Sequence, residues 1–96
     1  MSCSLSTRVL DTGAGKPAAG VTVELAGPDG TVATAETDGD GRARLADDLV
    51  GGTYRVVFHP PSPFFTRIEL QVELAEGHYH VPLLVSPYGC ASYRGS

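Results

Sequence analysis

At 96 residues, with 42% hydrophobic and 19% charged side chains, the chain is sized for one small globular domain, 1–96, of the kind often helped by oligomerisation. Seven basic against eleven acidic residues leave a formal net charge of −4, which argues against nucleic acid or an anionic membrane as partner, since both ask for a basic face. No apolar run approaches the roughly 18 residues of a membrane span, and Met1 to Leu10 holds no apolar stretch of signal-peptide length, so the expectation is a cytoplasmic protein.

The predicted elements are all strands. Short runs rich in Val, Leu, Thr and Tyr alternate with Gly, Pro and Asp turns, and no segment keeps a helical period. The first strand is read at Ser4–Asp11. The second, Val21–Ala26, sets Val21, Val23 and Leu25 against Thr22 and Glu24. Gly27-Pro28-Asp29-Gly30 then reads as a hairpin turn into a strand at Val32–Thr37. Asp38-Gly39-Asp40-Gly41 reads as a second hairpin turn, leading into Arg42–Leu45. The next strand, Thr53–Phe58, alternates less cleanly because Val57 interrupts it. Pro60-Pro61-Ser62-Pro63 lacks three N–H groups, so it is neither helix interior nor central strand. Phe65–Leu74 carries the clearest period of two, with Ile68, Leu70, Val72 and Leu74 against Glu69, Gln71 and Glu73. Strands at Tyr79–Val85 and Ala91–Arg94 close the chain. The pattern is that of a small all-β sandwich or barrel. Cys3 and Cys90 match no metal spacing and are read as free thiols.

Two sets of residues carry a resemblance. The first is Val9-Leu10-Asp11, Gly15-Lys16-Pro17-Ala18-Ala19-Gly20-Val21, Thr37-Asp38-Gly39-Asp40-Gly41 and Gly52-Thr53-Tyr54. Many sandwich domains share that layout, so it speaks for a prealbumin-like fold and for no activity. The second is specific: His78-Tyr79-His80-Val81-Pro82-Leu83-Leu84-Val85-Ser86-Pro87-Tyr88-Gly89 and the terminal Tyr93-Arg94-Gly95-Ser96. It resembles the closing signature of the transthyretin-related 5-hydroxyisourate hydrolases.

The resemblance implies a transthyretin-like sandwich of two sheets and a homotetramer, a dimer of dimers with a central channel. It implies hydrolysis of a small-molecule substrate, 5-hydroxyisourate, at a ring C–N bond during urate breakdown, with no metal and no cofactor. The implied catalytic residues are His80, Arg42 and Ser96, and Tyr93, Arg94 and Gly95 are implied to contact substrate. The family's first-strand His falls at position 8, where this chain has Arg8. Relatives also carry a longer segment after the fifth strand, with a short helix in transthyretin. The Pro60–Pro63 run leads to the expectation that the helix is missing.

The residues themselves allow the following chemistry. Alternation puts His78 and His80 on one face and Val81, Leu83 and Val85 on the other, so His80 should face outward and can do acid–base work near neutral pH; outside the motif an exposed structural His is the simpler reading. Two His on one face can also chelate a metal, but no further ligands cluster with them. Arg42 offers a planar fork of donors for carbonyl oxygens or an oxyanion, although Arg44 faces the same side. Ser96 brings a hydroxyl and a terminal carboxylate, or simply a frayed end. Arg8 stays protonated and cannot be a base. It either weakens the site, retunes it for another cyclic substrate, or leaves a small-molecule binding site without turnover, as in transthyretin, which also lacks that His. It can also add an anion contact and keep His80 neutral.

Overall fold

The computed structural model describes residues 2–95. Its strands are β1 (Ser2–Asp11), β2 (Lys16–Pro17), β3 (Thr22–Gly27), β4 (Gly30–Glu36), β5 (Arg42–Val50), β6 (Gly52–His59), β7 (Ile68–Leu74), β8 (Gly77–His80), β9 (Leu83–Val85) and β10 (Cys90–Ser92), with no helix among the described residues. They form two sheets. One runs β4-β3-β6-β7, and the other is built around β1, which pairs with β2, β5, β8 and β9, while β10 pairs with β9. The expected all-β, two-sheet sandwich is thus observed, and the segment from Pro60 to Arg67 carries no helix.

The core is made by inward faces that obey the period of two. Leu5 and Val9 of β1, Val23 and Leu25 of β3, Val56 and Phe58 of β6, and Leu83 and Val85 of β9 are almost wholly shielded from solvent. Each such side chain contributes about 1.5–3 kcal/mol by leaving water. Thr37 is buried between the sheets and is satisfied on both sides: its hydroxyl donates to Ala18 O at 2.6 Å and accepts from Val21 N at 2.9 Å.

Two local readings are corrected. Gly27–Gly30 is the expected hairpin, with Gly27 opposite Gly30 and Gly30 at φ 115°. Asp38–Gly41 is a turn but not a hairpin, because β4 lies in one sheet and β5 pairs with β1 in the other. The predicted strand Tyr79–Val85 is divided at Val81-Pro82. Pro82 has no N–H for the ladder. At the break the buried Thr7 hydroxyl donates to Val81 O at 2.6 Å, and Val81 N donates to Ser6 O at 2.9 Å.

Both cysteines are free, Cys3 buried and Cys90 exposed. No helix among the described residues is long and apolar enough to cross a membrane.

Candidate active site

The outer face of the β5-β1-β8 sheet gathers the polar chemistry. On β1, Ser4, Ser6 and Arg8 point outward between the buried Cys3, Leu5, Thr7 and Val9. The antiparallel register sets Arg8 opposite Arg42 and Ser6 opposite Arg44 on β5. The parallel register on the other side sets Ser4 opposite His78 and Ser6 opposite His80 on β8. Two adjoining shallow depressions of about 310 and 320 Å³ result, and both are lined by Ser6, Arg42 and His80. Arg8 and His78 line one of them, Asp38 and Arg44 the other.

Arg42 is placed by the turn before it. Asp38 Oδ1 accepts from Asp40 N at 2.9 Å and from Arg42 N at 3.0 Å, while Asp38 N donates to Arg42 O at 2.9 Å. The two backbone donors, with help from the Arg42 charge, hold the Asp38 carboxyl below its ordinary range. Gly41 closes the turn at φ 76° and lies so near β1 that a Cβ there would stand 2.4 Å from Val9 O. Arg8 Nε donates to Asp40 O at 3.2 Å, tying the same turn to β1. Arg44 is ion-paired with Asp47, whereas no carboxylate among the described residues pairs with Arg42. That difference favours Arg42 over Arg44 as the cation available to a ligand.

His80 is partly buried. Its Nδ1 lies 2.9 Å from Ser6 Oγ, and its carbonyl accepts from Gly95 N at 2.7 Å. Burial disfavours the imidazolium most, and the charges of His78, Arg42 and Arg8 add to it, so His80 is held below the ordinary histidine value. These surroundings favour the neutral imidazole, the form able to take a proton. Among the described residues no three His, Cys, Asp or Glu side chains are grouped to hold a metal ion.

The candidates named from sequence separate into two places. His80, Arg42, Arg8 and Gly95 meet on the outer face, Gly95 through a backbone bridge to His80. Tyr93 and Arg94 instead line a cleft of about 500 Å³ with Tyr79, Val81 and the β7 side chains Leu70 and Val72. The Arg94 guanidinium stacks there over the Tyr79 ring, 4.4 Å from its centroid. Ser96 lies outside the described residues. The serines of β1 were missed from sequence, although Ser4, Ser6 and Arg8 share a period of two.

The HIUase/Transthyretin family model matches residues 5–95. The chain belongs to that family. A 5-hydroxyisourate hydrolase of Caulobacter vibrioides is 43% identical, over 96% of this chain and 97% of that one. Among solved structures, the Klebsiella pneumoniae 5-hydroxyisourate hydrolase superposes with a TM-score of 0.89 at 35% identity, covering 98% of this chain and 99% of that one. Sea bream transthyretin in complex with thyroxine superposes with a TM-score of 0.83 at 28% identity, covering 95% and 93%. The family thus includes both 5-hydroxyisourate hydrolases and a transthyretin that holds thyroxine, and this chain's outer-face site has to be read between them.

Proposed function

We propose that the protein is a 5-hydroxyisourate hydrolase, a cofactor-free cyclic-amide hydrolase of urate breakdown. The observation that carries this reading is the meeting of partly buried His80 with Arg42 in one depression, where burial and nearby positive charge favour the neutral imidazole. His80 Nε2 takes a proton from water as its oxygen attacks the ring carbonyl carbon. Arg42 holds the carbonyl oxygen as it gains charge. The C–N bond then breaks, and the ring nitrogen receives a proton from His80. Gly95 sets the His80 backbone, Arg8 adds a cation for an acidic ligand, and Ser96 is assigned to the same site, whereas Tyr93 and Arg94 line the separate cleft beside β7. The 1–96 chain acts as one domain in the cytoplasm. Assembly into a homotetramer is supported by the small core and by β7, an edge strand whose Ile68, Leu70 and Val72 are only partly covered.

A second reading, a diverged enzyme for another cyclic substrate or a binding protein without turnover, is favoured by Arg8, which cannot replace an imidazole as a base. The experiment that separates them follows the decay of freshly generated 5-hydroxyisourate with the unaltered protein and with Arg8→His. Decay well above the spontaneous rate with the unaltered protein supports the hydrolase. Acceleration by Arg8→His alone supports the second reading.

A further inference from the structure

His78 is an imidazole that the mechanism above leaves idle. It stands two residues before His80 on β8 and is exposed on the same face. The parallel pairing with β1 joins four side chains into an unbroken file. Ser4 Oγ lies 2.7 Å from His78 Nδ1, His78 Nε2 lies 3.0 Å from Ser6 Oγ, and Ser6 Oγ lies 2.9 Å from His80 Nδ1. One end opens to solvent, and the other faces the depression shared with Arg8 and Arg42.

Such a file has two self-consistent neutral arrangements. Ser6 has one hydroxyl proton, so it donates to one imidazole and accepts from the other, and each neutral imidazole has one N–H and one lone pair. In the inward arrangement Ser4 donates to His78 Nδ1, His78 Nε2 donates to Ser6, and Ser6 donates to His80 Nδ1. His80 then carries its proton on Nε2 and is an acid toward the site. In the outward arrangement His80 Nδ1 donates to Ser6, Ser6 donates to His78 Nε2, and His78 Nδ1 donates to Ser4. His80 Nε2 is then a bare lone pair and a base.

We propose that Ser6 and His78 form a proton relay that switches His80 between base and acid, with His78 as the outlet to solvent. The proposal deepens the hydrolase reading and rests on His80 being its acid–base group. From the outward arrangement, Nε2 accepts a proton from water. The Nδ1 proton passes to Ser6, the Ser6 proton passes to His78 Nε2, and the His78 Nδ1 proton leaves by way of Ser4. One proton enters and one leaves, and the file ends in the inward arrangement. Delivery of the Nε2 proton to the leaving nitrogen runs the file back, with a proton drawn in at the Ser4 end. No electrons change hands.

The charges around His80 favour this route. Arg8 on β1 and Arg42 and Arg44 on β5 bring positive charge to the depressions, His78 on β8 adds to it only when protonated, and among the described residues Asp38 in the turn is the one acidic side chain lining them. An imidazolium stored at His80 is disfavoured there, consistent with its lowered proton affinity. The relay lets His80 exchange protons without holding the extra one. In this role Ser6 and His78 are positioning and relay residues that act through His80.

Ring-nitrogen NMR of ¹⁵N-histidine-labelled protein tests the relay, with His59, hydrogen-bonded to Glu24 on the other sheet, as internal control. In the unaltered protein the ring-nitrogen shifts should show His78 and His80 in matched neutral tautomers, protonated on Nε2 in both rings or on Nδ1 in both. Ser6→Ala should break the match, Ser6→Thr should keep it, and His78→Gln should change the His80 tautomer ratio. In the 5-hydroxyisourate assay, Ser6→Ala and His78→Gln should lower kcat about tenfold with KM within about twofold, and Ser6→Thr should recover most of the loss. Unmatched tautomers of the two rings in the unaltered protein overturn the relay, as does a His80 tautomer ratio indifferent to both Ser6→Ala and His78→Gln. Absence of turnover in the unaltered protein removes the hydrolase reading, and the tautomer ratios still decide the relay.

Discussion

Gly95 presses its backbone against His80. Gly95 N donates to His80 O at 2.7 Å, and a Cβ at Gly95 would stand 2.8 Å from His80 Cδ2. That is closer than real Cβ contacts come, so Gly95→Ala must displace the imidazole or the terminal segment. Gly95 lies beyond the last strand and outside the core, so the melting temperature should fall by no more than a few degrees, corresponding to about 0.5 kcal/mol. Turnover should fall at least about tenfold, because a displacement near 1 Å can cost up to about a hundredfold. Thermal melting beside the 5-hydroxyisourate decay assay checks both halves. Unchanged turnover would show that the His80 ring position is not critical.

Arg42→Lys should keep a positive charge in the depression and lose the planar fork. If Arg42 holds the oxyanion, kcat should fall about a hundredfold, the usual loss for one such donor. Arg44→Ala should fall by less than about threefold, because Arg44 is already paired with Asp47 on the exposed face. Steady-state kinetics on the two variants check the assignment. The opposite ranking would transfer the role to Arg44.

What was legible in the sequence was local. A strand's period of two is fixed by its own backbone, so Val81, Leu83 and Val85 could be placed inward and His78 and His80 outward before any fold was known. The register between strands is not local. Ser6 meets His80 across 74 positions, and nothing in either segment names the other as neighbour. The Asp38–Gly41 misreading has the same origin: turn chemistry announces a reversal but not the sheet that the next strand joins. The division at Pro82 was readable from its missing N–H. Arg42 and Gly95 were singled out by resemblance, since Arg44 offers the same fork of donors two residues on and a Gly near the C-terminus carries no side-chain chemistry.

Gly41 should be intolerant of a side chain and Gly39 tolerant. Gly41 has φ 76°, and its Cβ would stand 2.4 Å from Val9 O, a backbone atom that cannot move aside cheaply. Gly41→Ala should cost about 2 kcal/mol or more, from the left-handed backbone and the clash together. A Cβ on Gly39 meets nothing within 4 Å, so Gly39→Ala should stay within about 0.5 kcal/mol. Denaturant midpoints for the two variants check this. Equal effects would mean that the turn is not pressed against β1 as described.

The pH dependence of kcat/KM should report His80. Its proton affinity is held below the ordinary value of 6.5, first by burial and then by His78, Arg42 and Arg8. A base with a lowered pKa stays neutral to lower pH, so the acid limb should lie below 6.5. The same shift has a sign for stability. The unfolded chain binds the proton more readily than the fold does, so the contribution of His80 is full above its unfolded pKa and is lost as pH falls through that value and then through the lower folded one. Arg8→Gln removes one of the cations responsible, so the acid limb should move upward, toward the ordinary value. Rate profiles of the unaltered protein and Arg8→Gln, with His80 followed by NMR in each, check the direction. A limb that stayed fixed or moved down would mean that Arg8, despite lining the depression with His80, does not act on it electrostatically.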